Sequence, residues 1–131
     1  MKPSLLDTSV AISLRDNDPA VLQRFSALTT LPQISVLSIV ELHGGVANDP
    51  DPQQRRRRAL ERMIENFEVV DFGEAHALAY GRIVSALGFS RRAIIDRMIA
   101  AQAIERGVTL VTLNPRDFLQ IPDLAVEDWS Q

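Results

Sequence analysis

The chain has 131 residues, 46% of them hydrophobic and 24% charged, with a net charge of −3 and no cysteine. That is the length of one ordinary domain able to support its own core, and it excludes disulfide scaffolds, thiolate metal sites and cysteine nucleophiles. Lys2 is the only lysine, so chemistry that needs a Schiff-base or phosphate-gripping lysine deep in the chain is excluded too.

No apolar run approaches the roughly 18–20 residues needed to span a bilayer. Asp7 interrupts the only stretch that resembles a signal peptide, and a cytoplasmic protein without a membrane partner is expected. The overall acidity does not advertise nucleic-acid binding. The dense cluster Arg55-Arg56-Arg57-Arg58 with Arg62 reads either as a solvated helix face or as a phosphate contact.

Along the chain, Ser4-Leu5-Leu6 reads as a short buried strand, and Asp7-Thr8-Ser9 can cap a helix running towards Leu14. Asp18-Pro19 opens a second helix, Gln33 to Val36 a second strand, and Leu37 to Val46 a helix ended by Gly44-Gly45. Asp49-Pro50-Asp51-Pro52 reads as a turn before the arginine-bearing helix, and Phe67 to Val70 as strand three. Gly73 to Leu87 and Ala93 to Arg106 have helical period, with Gly88 and Gly107 as stops. Val108 to Thr112 is the fourth strand, Asn114 to Phe118 a tight or single helical turn, and Leu124 to Glu127 a final edge strand. Strands alternating with helices predict an α/β fold, a mainly parallel sheet of four to five strands covered on both faces. Sites in such sheets form outside the carboxyl ends of the strands.

Acidic residues recur at those positions. Asp7 follows strand one, Glu41 lies four residues beyond strand two, Asp96 sits in the first turn of a helix, and Asp117 follows strand four. Each has a plain structural reading as a cap, an exposed helix position or a partner of a helix dipole. Taken together, hard carboxylate ligands with no cysteine or lysine nearby point to Mg²⁺ or Mn²⁺. Arg91, Arg92, Arg97 and Arg116 lie beside the acids in sequence and are candidates for phosphate contacts. His43 and His76 lack zinc-ligand spacing, and Trp129 reads as a packing anchor. A P-loop is absent, a receiver domain would need a late-strand lysine, and Asp7-Thr8-Ser9 is not the Asp-x-Asp of a haloacid-dehalogenase phosphatase.

Leu5-Leu6-Asp7-Thr8-Ser9, Ile39-Val40-Glu41-Leu42, Asp96-Arg97-Met98-Ile99-Ala100-Ala101, Thr112 to Phe118 and Val126-Glu127-Asp128-Trp129 together resemble PIN-domain ribonucleases, specifically the VapC toxin group. The resemblance runs in order over nearly the whole chain, residues 1–131 forming a single PIN domain with a three-layer α/β/α architecture. It implies a metal-dependent endoribonuclease toxin, neutralised by a cognate VapB-like antitoxin, that forms homodimers and toxin–antitoxin hetero-oligomers. Asp7, Glu41, Asp96 and Asp117 would then be the catalytic metal ligands, and Thr8, Ser9 and Asn114 auxiliary polar groups. Ser9 departs from the asparagine frequent in that family, and the segment Phe89 to Ala93 lacks its usual Gly/Pro-rich form. The segment Asp51 to Phe67 is the expected place for antitoxin contacts. A catalytically silent binding module and an RNA-processing nuclease without an antitoxin are the alternatives.

Overall fold

A computed structural model describes the backbone of residues 3–47 and 53–131 and the side chains of 3–45 and 55–131. The chain runs β1 (Ser4–Leu6), α1 (Thr8–Arg15), α2 (Pro19–Ser26), β2 (Gln33–Ser35), α3 (Val36–Ala47), α4 (Gln53–Ile64) and β3 (Glu68–Val70). It continues through α5 (Glu74–Leu87), α6 (Ile94–Arg106), β4 (Thr109–Thr112), a 3₁₀ turn (Pro115–Asp117) and β5 (Val126–Asp128). All strand pairs are parallel, in the order β3-β2-β1-β4-β5. The chain winds outward from β1 to β3, then crosses to the other side of β1 for β4 and β5. The switch point therefore lies between β1 and β4.

Alternation along the central strands divides the core into two layers. Leu5 and Leu110 face a cluster built with Ala79 and Ile83 of α5, Ile99 and Ala103 of α6, and Phe118. Leu6 and Val111 face the opposite cluster, with Val10 and Leu14 of α1, Val21 of α2, Leu42 of α3, Leu60 of α4 and Trp129. The outcome is the expected three-layer α/β/α arrangement. Helix boundaries follow local chemistry. Asp18 caps α2 by accepting the N–H groups of Ala20 and Val21 at 3.0 and 3.1 Å, with Pro19 in the first turn. His76 accepts the Gly73 N–H through Nδ1 at 2.9 Å, which makes it the cap of α5. His43 is exposed on α3.

Several boundaries shift by one or two residues from the sequence reading, the final strand lying at Val126–Asp128 rather than Leu124 to Glu127. Strand two stops at Ser35 because the buried Ser35 hydroxyl accepts the Leu37 N–H at 3.0 Å and starts α3 one residue early. Gly44-Gly45 does not end that helix, which continues to Ala47. Glycine permits a stop without compelling one, and α3 is held by the buried Leu42. At Gly45 a Cβ would stand 3.3 Å from the Arg15 guanidinium, so the missing side chain makes room for α1. The turn over Asp49-Pro50-Asp51-Pro52 lies outside the described residues.

Gly88 and Gly107 do end helices, at φ of +83° and +66°. Gly88, with ψ 163°, occupies a region essentially closed to other residues. Gly88→Ala is expected to destabilise the protein by about 1–3 kcal/mol, read as a lower midpoint in urea with an unchanged m value.

Candidate active site

The carboxyl end of β1 delivers Asp7 to the switch point. Its carboxyl, 4% exposed, caps α1 by accepting the Val10 N–H at 3.1 Å. The cap and the candidate metal ligand are therefore one residue. Asp7 Oδ1 also accepts the Ser9 hydroxyl at 2.6 Å, and Oδ2 accepts the Thr112 hydroxyl at 2.5 Å. Each hydroxyl is held from behind. Ser9 Oγ accepts the Leu113 N–H at 3.1 Å, and Thr112 Oγ1 accepts the Asn114 N–H at 2.9 Å. Two hydroxyls thus tie the loop after β4 to the carboxylate after β1, and they leave a lone pair of Oδ2 free. Burial raises the Asp7 pKa above the ordinary carboxylate value, and these hydrogen bonds oppose the rise.

Glu41 is oriented by a second chain of hydroxyls. Thr8 donates to Glu41 Oε1 at 2.7 Å and stands 2.7 Å from the fully buried Ser38 hydroxyl. Thr8 has one proton, and the carboxylate takes it, so Ser38 donates to Thr8. Asp96, half-buried in the first turn of α6, has a pKa raised to about 6. The largest cause is burial, followed by the negative charges of Asp117, Asp7 and Glu41. The other three predicted acids therefore all act on Asp96 across the switch point, and no cation among the described residues offsets them there.

Among the described residues, no three acidic or histidine side chains form a ready-made ion cage. The donors are nonetheless of the right kind for a divalent cation. They are hard oxygens on four carboxylates, with an unused lone pair on Asp7 and no hydrogen bond within the described protein at the side-chain carboxylates of Asp96 and Asp117. A cation placed among them would relieve their mutual repulsion.

The auxiliary and basic candidates separate by position. Thr8 serves Glu41 and Ser9 serves Asp7, whereas Asn114 contributes its backbone N–H to Thr112 while its side chain is exposed. Arg91 and Arg92 are exposed in the loop before α6, and Arg116 is exposed beside Asp117. Arg97 donates to the Gly88 carbonyl at 2.6 Å, which commits part of its guanidinium to closing that loop. Arg55, Arg57, Arg58 and Arg62 are exposed on α4, whose Leu60 packs in the layer away from α6. Thr112 and Ser38 were absent from the sequence-based candidate set. Thr112 stands in the quoted motif, but only the β1–β4 pairing reveals its partner. Trp129 is buried as expected, its indole N–H donating to Glu127 at 2.5 Å.

A doubly wound parallel sheet with acidic residues beyond the carboxyl ends of its strands defines an α/β protein with an acidic candidate site at its switch-point edge. The PIN domain model matches residues 4–124. The tRNA(fMet)-specific endonuclease VapC of Shigella flexneri is 33% identical over 96% of this chain and 97% of its own. A chain in the crystal structure of DNA-bound VapBC from Salmonella typhimurium superposes with a TM-score of 0.85 at 31% identity, covering 98% of this chain and 99% of that one. A chain of VapBC-1 from nontypeable Haemophilus influenzae gives 0.83 at 27% identity, with 98% of each chain covered. The protein belongs to the PIN-domain family, in its VapC group.

Proposed function

We propose that the protein is a metal-dependent endoribonuclease that cleaves RNA phosphodiester bonds, the toxin of a pair silenced by a VapB-like antitoxin. The observation that carries this reading is the set Asp7, Glu41, Asp96 and Asp117, in which the charges of the other three act on the half-buried Asp96. Residues 1–131 form one PIN domain, acting in the cytoplasm where its substrate lies. The name of the Shigella relative makes tRNA the RNA class to test first.

Asp7 and Asp96 are the principal ligands for Mg²⁺ or Mn²⁺, with Glu41 and Asp117 completing the set. Such an ion, when bound, supplies charge neutralisation at the phosphate and lowers the pKa of water. The chain's own contribution is orientation. Ser9 and Thr112 hold both oxygens of Asp7, and the Ser38–Thr8 pair holds Glu41. A carboxylate so fixed spends no reorganisation energy when charge develops. The acidic edge repels RNA, so Arg91, Arg92 and Arg116, with the remaining N–H groups of Arg97, contact the flanking phosphates.

The antitoxin is placed on the groove between α1, α2 and α4, a cavity of about 340 Å³ lined by Leu14, Leu22, Phe25 and Met63 and rimmed by Arg15 and Arg62. From the segment Asp51 to Phe67 this groove takes Ala59, Arg62, Met63 and Asn66. Exposed Val40, Leu78 and Phe89 provide the apolar surface for a homodimer. No helix among the described residues is long and apolar enough to cross a membrane.

Purified protein is expected to cut total cellular RNA into discrete fragments with Mg²⁺ or Mn²⁺, to stop in EDTA, and to stop on adding the antitoxin. Fragments that persist in EDTA would sink the metal-dependent reading. A folded protein that binds metal and RNA without cutting would favour the silent binding module, and cutting that no antitoxin silences would favour an RNA-processing role.

A further inference from the structure

We propose that a groove between the turn after β4 and the segment following β5 binds one unstacked RNA base next to the scissile phosphate and reads it through its N–H donors. The inference rests on the nuclease reading above and names how that site selects sequence. The groove has a volume of about 500 Å³, and its walls include Asn114, Arg116, Asp117, Asp128 and Ser130. Pockets that take ligands of nucleotide size hold roughly 300–1,000 Å³.

Its place follows from strand register. Thr112 pairs with Asp128, so the carboxyl ends of β4 and β5 lie side by side on the edge that carries Asp7. Asp117 belongs both to the groove and to the acids acting on Asp96. A strand with its scissile phosphate at the acids thus brings a neighbouring nucleotide to the groove.

The wall chemistry suits a base better than a phosphate. The walls carry the Asp117 and Asp128 carboxylates beside the Arg116 guanidinium; with Asp117 assigned to the metal, Asp128 is the carboxylate left to accept N–H groups. Asp128 Oδ1 takes the Ser130 N–H at 2.7 Å, and the Ser130 hydroxyl and the Arg24 charge also favour its ionised form. A carboxylate has about four lone-pair sites, so acceptor capacity remains for an incoming donor. The Asn114 side chain makes no hydrogen bond within the described protein and offers both a donor and an acceptor. No aromatic ring lines the groove, so hydrogen bonds rather than stacking must discriminate. Guanine presents two adjacent N–H donors to a carboxylate. Adenine and cytosine present an amino group, and uracil only one ring N–H between two carbonyls that carboxylates repel. The groove therefore favours guanine and disfavours uracil.

The test uses labelled UUUUU, UUCUU, UUAUU and UUGUU with the intact protein. Binding is read by fluorescence anisotropy in EDTA, and cleavage is read separately with Mn²⁺. UUGUU is expected to bind and be cut at least about fivefold better than UUUUU, the scale of one added hydrogen bond. Asp128→Asn and Asn114→Ala should each reduce that preference to less than about twofold, because one contact is lost. Asp128→Asn should keep the wild-type rise in melting temperature on adding Mn²⁺. Loss of that rise would make Asp128 a metal ligand and overturn the base-binding assignment. Cleavage with no base preference, or a preference untouched by both variants, also overturns it and leaves the nuclease reading intact. Base-selective binding without cleavage upholds the groove and sinks the nuclease reading, and absence of both sinks the two together.

Discussion

Asp96→Asn is expected to abolish RNA cleavage and at the same time make the metal-free protein more stable. The loss of activity, on the order of 10³-fold or more, reflects removal of a core ligand worth several kcal/mol of charge stabilisation. The gain in stability follows from electrostatics. Burial and the charges of Asp117, Asp7 and Glu41 raise the Asp96 pKa from 3.8 to about 6. The folded state thus holds this proton more tightly than the unfolded chain. The resulting stabilisation is fully present below about pH 4 and is lost as pH rises through about 6. Asparagine has no charge to repel. At pH 7.5 the full shift corresponds to about 3 kcal/mol, and screening of this half-buried group leaves about 1 kcal/mol, or roughly 3–5 °C in melting temperature. Near pH 4 the variant and the wild type should melt together. Added Mg²⁺ or Mn²⁺ should raise the wild-type melting temperature, by about 1.4 kcal/mol of stability at ten times Kd, and do much less for the variant. Differential scanning fluorimetry across pH, with and without metal, reads all of this. A variant less stable than wild type at pH 7.5 would contradict the repulsion account.

Thr112→Val should reduce activity by about 10–100-fold, the usual consequence of losing a group that orients a metal ligand. Valine keeps the shape but removes both the donor to Asp7 Oδ2 and the acceptor for the Asn114 N–H. A fully buried site has no water to replace them, so the stability loss should be about 2 kcal/mol, roughly 6–10 °C. Thr112→Ser keeps the hydroxyl and should recover most of both. The discriminating measurement is metal affinity. A merely structural threonine would lower the melting temperature without weakening Mn²⁺ binding, whereas one that positions Asp7 raises the Kd for the metal as well. Wild-type Mn²⁺ affinity in Thr112→Val would remove the hydroxyl from the site.

The same residues show where sequence reading stops. The alternation of short apolar strands with helices and the caps at Asp7, Asp18 and Gly107 are local, so each can be read from a few neighbouring residues. The rule that sites lie beyond strand ends then drew attention to Asp7, Glu41, Asp96 and Asp117, whose mutual effect on Asp96 puts them in one electrostatic neighbourhood. The exact bounds of α3, Val36–Ala47 where Leu37 to Val46 was expected, were not legible, because glycine tolerates several conformations and packing at Leu42 and Arg15 decides where such a helix runs.

What the chain by itself determined was therefore the fold class, the outline of the elements, the acidic residues and the family resemblance. These rest on hydrophobic period, capping preference and residue type, which act over a few positions. Tertiary structure alone decided which groups orient those acids. Thr112 meets Asp7 across 105 positions, and Thr8 meets Glu41 across 33. Arg97 gives up part of its guanidinium to a backbone carbonyl, and Asp128 comes beside the turn that carries Asp117. The Arg97 contact closes one loop, whereas the others depend on the strand order β3-β2-β1-β4-β5, because hydrogen bonds and charges act through distances in space that the paired sheet sets.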